Sequence, residues 1–164
     1  MKVKSLLSNT MKDWLSKSIA SELYASNLYK DLANKMQKQG YFGAQKYFLN
    51  ESADELTHYQ KLVDFINDMG DVLDIPSVPT IKENPDCIGD ALDIAYEAEF
   101  DLLNQYKEFH EIAEDEDSAV SVFLHQFIMI QVKSVGEYGD LIARYEIADE
   151  TKEWLLFDNY MREL

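Results

Sequence analysis

The sequence predicts an all-α fold: a four-helix bundle of two antiparallel helix pairs, with a long crossover between the second and third helices and a short fifth helix at the C-terminus. Three observations predict it. Long stretches lack proline and glycine, apolar residues recur at alternating steps of three and four, and all three prolines gather in one mid-chain segment. No stretch alternates with the period of a strand, and no internal repeat is present. At 164 residues the chain has the size of one domain, residues 1–164, long enough to bury a sizeable core.

From about Ser8 to Gln39, Leu15, Ile19, Glu22, Ser26, Tyr29, Ala33 and Met36 form one inward stripe on one helix. Gly40 and Gly43 bracket a short turn, after which Phe48, Ser52, Glu55, Tyr59, Leu62, Ile66 and Met69 repeat the stepping as far as Gly70. So short a turn folds the second helix back on the first. Between Asp71 and Asp86, Pro76, Pro79 and Pro85 forbid a continuous helix. Roughly sixteen extended residues reach about 50 Å, enough to run the length of a helix of about 38 Å, so the third helix lies parallel to the second.

The third helix, about Ile88 to Glu114, carries Leu92, Ala95, Glu99, Leu102, Tyr106, Phe109 and Ala113. Asp115-Glu-Asp-Ser118 reads as a tight polar turn with an N-cap. The fourth, about Ala119 to Ala148, carries Leu124, Phe127, Ile128, Gln131, Val135, Tyr138, Ile142 and Tyr145. Thr151 to Glu163, with Leu155, Leu156, Phe157, Tyr160 and Met161, reads as the brief fifth helix.

Charge narrows the function classes. Fifteen Lys and Arg against 31 Asp and Glu give a net charge of −16, a field that repels nucleic-acid phosphates and draws in cations. Cys87 stands alone, so no intrachain disulfide forms. The opening Met1-Lys-Val-Lys-Ser-Leu-Leu is not a signal-type apolar run, which predicts a reducing, cytoplasmic setting. No run of eighteen consecutive apolar residues exists, and no membrane span is expected.

The chemistry sits where the stripes are interrupted. Each has one strongly polar break: Glu22, Glu55, Glu99 and Gln131. Counted from the turns, all four fall at about the same level of the bundle, within roughly one helical turn. A buried unpaired carboxylate is costly, and three in one apolar core require compensation. His58, three residues after Glu55, shares its helix face, so a carboxylate and an imidazole can reach one ion, as in the half-sites of carboxylate-bridged di-iron bundles. Oxygen donors plus nitrogen suit iron and tolerate zinc or manganese. With two ions present, Glu55 bridges them, Glu22 and His58 complete the first, Glu99 holds the second, and Gln131 is a neutral or weakly coordinating neighbour. Taken singly, each residue has a plainer alternative: Glu22 and Glu99 rotated to the surface, Gln131 a satisfied core amide, His58 a half-buried histidine with a partner. Tyr29, two turns from Glu22, is most simply a core aromatic; its alternatives are a phenol hydrogen-bonded to a metal ligand, or a one-electron donor during oxygen chemistry.

These residues resemble the ferritin family along almost the whole chain. Ser21-Glu-Leu-Tyr-Ala-Ser-Asn-Leu-Tyr29 is similar to its first-helix signature, Asp54-Glu-Leu-Thr-His58 to the second, Gln131-Val-Lys-Ser-Val-Gly-Glu-Tyr-Gly-Asp140 to the fourth, and Trp154-Leu-Leu-Phe-Asp158 to the start of the short fifth helix. The resemblance implies a ferroxidase centre of Glu22, Glu55, His58, Glu99 and Gln131, with Tyr29 as its nearby tyrosine. It also implies a twenty-four-subunit homo-oligomeric shell that oxidises Fe(II) with O₂ or H₂O₂, two iron ions per subunit at the centre, and stores ferric mineral for iron homeostasis.

Departures from the family pattern qualify that expectation. Ser134, Ile130 and Lys133 stand where many bacterial members carry acids for a third iron site. Glutamine followed by a small residue is like the eukaryotic heavy-chain type. Leu56 replaces the methionine of haem-binding relatives and the fourth helix lacks a second Glu-x-x-His, so no haem is expected. Ser121 and Leu124 replace the acids of the three-fold channel, which leaves another route, or other acids such as Glu116 and Asp117, for iron entry. Rival readings are a di-iron peroxidase or oxidase without mineral, a twelve-subunit shell that coats DNA, and a structural shell subunit. The missing second Glu-x-x-His, the missing basic tail and the intact ligand set argue against them in that order.

Overall fold

A computed structural model describes residues 4–148 and 151–164. Five helices follow in order: α1 (Asn9–Gln39), α2 (Phe42–Asp68), α3 (Ile88–Glu116), α4 (Ser118–Glu146) and α5 (Thr151–Arg162). No strand occurs among the described residues. Met1-Lys-Val, part of the opening segment considered above, lies outside them.

Ser8 caps α1 by accepting the Met11 N–H, and Gly40 ends it in the left-handed conformation at φ 93°, where a side chain would be strained. Residue pairings give the helix directions. Leu6 meets Met69 and Ser26 meets Ser52, so α1 and α2 are antiparallel; Tyr29 meets Glu99 and Tyr106 meets Glu22, so α1 and α3 are antiparallel too. It follows that α2 and α3 are parallel, as the crossover requires. That crossover is held to α1 by the Lys35 ammonium on the Glu83 carbonyl and by the Gln39 amide on the Pro85 carbonyl, 2.7 Å.

One hydrophobic core runs through the bundle, and the stripe residues of α1 and α3 named above are all buried in it. Both Met36 and Met69 are filler there. α4 departs from one expectation, because by length and composition it could cross a bilayer even without eighteen consecutive apolar residues. It places Leu124, Phe127 and Tyr138 in the core, while Val122, Met129 and Val132 stay exposed.

Two local expectations are corrected. Gly43 belongs to the first turn of α2, not to the preceding turn, and it is glycine because α5 crosses there: a Cβ would lie 1.7 Å from the Asp158 carbonyl oxygen. The acidic run 115–118 is not a turn. α3 continues through Glu116, and Asp117 alone joins the helices, giving its N–H to the Ala113 carbonyl while its carboxylate accepts the Ala119 and Val120 N–H groups at 2.9 and 3.2 Å. In α5, Phe157 and Met161 are buried but Leu155 and Leu156 face outward.

Candidate metal centre

The helical period carries Glu22, Glu55, Glu99 and Gln131 inward with their apolar neighbours, and all four are buried. On α2, one turn from Glu55, His58 places Nδ1 at 3.0 Å from Glu55 Oε2 and 3.7 Å from Glu22 Oε2. The ligating atoms of Glu22, Glu55 and His58 all lie within 4.8 Å of one another, and among the described residues no other group of three acidic, histidine or cysteine side chains converges so closely. Oxygen, oxygen and nitrogen donors at that spacing fit a divalent cation of the iron, zinc or manganese kind.

Orphaned polar atoms support the fit. Glu22 Oε2, Glu99 Oε2 and both amide atoms of Gln131 are buried without a hydrogen-bond partner. Each such atom costs free energy unless something else satisfies it, and a cation does so for the three oxygens, Glu22 Oε2, Glu99 Oε2 and Gln131 Oε1. Burial, and then the neighbouring Glu22, push the Glu55 carboxyl well above the usual carboxylate range. Burial likewise lifts Glu99 to about 7, against the Tyr29 hydrogen bond that favours its charged form. Both shifts favour the protonated carboxyl at Glu55 and Glu99 while no cation neutralises them.

The sequence-predicted residues are not gathered equally. Glu22, Glu55 and His58 form the close group; Glu99 lies outside it but feels the charge of Glu22, and Gln131 is buried on α4 with its amide unsatisfied by backbone or by Tyr29. The Tyr29 hydroxyl donates to Glu99 Oε1, so its role as a phenol bonded to one of the buried carboxylates is what the geometry shows.

Sequence reasoning missed two partners. The Tyr106 hydroxyl donates to Glu22 Oε1, the mirror of the Tyr29 contact, and its signal was present in the order of residues: Tyr106 follows Glu99 by the same interval at which Tyr29 follows Glu22. Glu51, one turn before Glu55, accepts a hydrogen bond from Tyr138 at 3.0 Å and is raised by burial to about 7. No stripe on α2 pointed to it, because it lies at the edge of the buried face. Of the acids considered for uptake, Asp117 is engaged as the α4 cap, and Glu116 accepts from the Ser8 hydroxyl at 3.3 Å.

A sequence profile of the ferritin-like domain matches residues 12–148. The chain belongs to the ferritin family. It is 26% identical over 134 residues, 81% of each chain, to a bacterial non-heme ferritin of Staphylococcus haemolyticus, and 25% identical over 157 residues, 93% of each, to that of Staphylococcus saprophyticus. An open-pore ferritin from Archaeoglobus fulgidus superposes with a TM-score of 0.85 at 25% identity, covering 95% of this chain and 98% of the other. A humanized archaeal ferritin gives 0.91 at 23% identity over 95% and 97%, a likeness of fold. The ferritin fold thus accounts for the crossover, and the buried acids and histidine lie at the heart of its bundle.

Proposed function

We propose that this chain is a ferroxidase and iron-storage subunit of a non-haem ferritin. Fe(II) is the substrate: Glu22, Glu55 and His58 take one ion, Glu99 takes a second beside Gln131, and Glu55 bridges the two. Dioxygen or peroxide accepts the electrons and the ferric product moves on to mineralise. The observation that carries this reading is the convergence of Glu22, Glu55 and His58 in a core that gives Glu22 Oε2 no hydrogen bond.

The chain's own residues have distinct tasks in that reaction. Glu55 and Glu99 give up protons when ferrous ions replace them, so binding releases protons. Tyr29 and Tyr106 each occupy one oxygen of Glu99 and Glu22 and leave the other for metal. The apolar walls keep bulk water from the reacting ions. The net charge of −16 draws Fe(II) toward the protein, an effect that salt screens.

Family membership supports assembly into an oligomer, and we assign twenty-four subunits to the shell. Exposed apolar side chains such as Phe42, Val72, Ile75 and Val122 are surface that such contacts would cover. Aerobic Fe(II) loading followed by size-exclusion chromatography and iron counting tests the proposal. Large numbers of ferric ions eluting with a shell support storage, whereas about two per chain at a small size identify a di-iron oxidoreductase instead.

A further inference from the structure

Two phenols touch carboxylates of the centre, and what stands behind each differs. Behind Tyr106 the ring contacts pass to Phe127, 5.0 Å between centroids, then to Phe123 and Phe65. Phenylalanine is hard to oxidise and has no phenolic proton to release. Behind Tyr29 stands Tyr138, its ring 6.2 Å away and within 15° of parallel, and Tyr47 meets Tyr138 edge-on at 6.1 Å. The buried Tyr138 hydroxyl donates to Glu51 Oε2 at 3.0 Å. Glu51 and Tyr47 in turn line a groove of about 910 Å³ beside α4 and α5, with Glu137, Asp140 and Arg144 on its walls. Among the described residues, a file of oxidisable rings, each phenol at Tyr29 and Tyr138 paired with a carboxylate, therefore leads from the centre to the surface on the Tyr29 side.

We propose that Tyr138, with Glu51 as its proton acceptor, is an electron relay between Tyr29 and that groove. The inference rests on the ferroxidase reading. Dioxygen reduced at the centre takes one electron from each of two ferrous ions and needs two more, with protons from solvent, to reach water, so the relay turns over twice; in each turn Tyr29 supplies one electron as its proton shifts to Glu99 Oε1, the oxygen its hydroxyl already faces. Tyr138 then gives one electron to the Tyr29 phenoxyl radical, which regains the proton held by Glu99. The O–H bond of Tyr138 breaks and that proton moves to Glu51. A ferrous ion reaching the groove returns one electron to Tyr138 and becomes ferric, and Glu51 returns the proton. The balance of each turn is one groove Fe(II) oxidised and one electron delivered to dioxygen, with both phenols and both carboxylates restored. Burial, which lifts Glu51 to about 7, suits a group that must both take and return a proton near neutral pH.

Full-length protein, mixed with excess Fe(II) and dioxygen and freeze-quenched for electron paramagnetic resonance, tests the relay against Tyr138→Phe. In the variant the radical is confined to Tyr29, and its decay is expected to slow by about tenfold or more. Glu51→Gln keeps every ring but removes the proton acceptor; it should slow the same decay, and it keeps the test valid if Tyr138→Phe folds poorly. Indistinguishable decay in the substituted and unsubstituted proteins, or no radical in any, overturns the relay alone. Failure of the unsubstituted protein to oxidise Fe(II) overturns the ferroxidase reading and the relay together.

Discussion

Tyr106 donates its phenolic hydrogen to Glu22 across the interface of α1 and α3, and Tyr29 donates to Glu99 across the same interface in the opposite sense. Each helix thus carries one acid and the phenol that orients the other helix's acid. The second oxygen of each, Glu22 Oε2 and Glu99 Oε2, is left without a hydrogen-bond partner. Replacing Tyr106 with Phe removes one donor from a buried carboxylate. We expect the metal-free protein to lose about 1–3 kcal/mol, part of it recovered on adding Zn(II); chemical denaturation with and without the ion measures both.

The stability of the metal-free protein should fall as pH rises. Burial raises the folded-state values of Glu51 and Glu99 to about 7, above the ordinary 4.5, so the folded protein binds more protons than the unfolded chain between those limits. Their contribution is fully present below 4.5 and is lost as pH climbs through 7. Denaturation midpoints across that window should decline, less steeply in Glu99→Gln. A flat or rising profile in the metal-free protein contradicts the assignment.

Glu55→Ala should separate stability from activity. The bridge between the ions is removed, and rapid Fe(II) oxidation should drop to the uncatalysed background in stopped-flow absorbance. Initial rates equal to those of the unsubstituted protein would refute the role given to Glu55.

Metal binding near neutral pH should release protons, because Glu55 and Glu99 must ionise to ligate. Calorimetric titration with Zn(II) in buffers of different ionisation enthalpy counts them. Apparent binding enthalpies that do not depend on the buffer would mean that these carboxyls are already charged.

Gly43→Ala should loosen α5. Its Cβ would overlap the Asp158 backbone, and the Asp158 carboxylate that accepts the Gly43 and Ala44 N–H groups at 3.0 and 2.7 Å would be displaced. Loss of such a cap together with overpacking is expected to cost about 2–4 kcal/mol. Thermal unfolding and limited proteolysis of the C-terminal segment report it.

Much of this was legible in the order of residues because helical periodicity is a local property. Leu15 to Met36 and Leu92 to Ala113 are separately periodic, and a polar break such as Glu22 or Glu99 is conspicuous only against that pattern. His58 was legible for the same reason, being one turn from Glu55. Asp117 was harder to read: an acidic run looks like a turn, yet α3 persists through Glu116 and one capping carboxylate suffices to restart the chain as α4. Glu51 and Tyr138 were beyond reach, since they stand 87 residues apart and neither breaks a stripe.

The amino-acid order by itself determined that four amphipathic helices would form, that a proline-bearing crossover would separate the pairs, and that carboxylates and an imidazole would be driven inward with their apolar neighbours. Only the tertiary structure decided which oxygens would be left unpartnered, which phenol would face which acid, and where Gly43 would have to admit Asp158. Burial follows from the spacing of residues along one helix, whereas the pairing of polar atoms depends on how four rigid helices are rotated and staggered against each other. That rotation and stagger are set by packing between residues far apart in the chain.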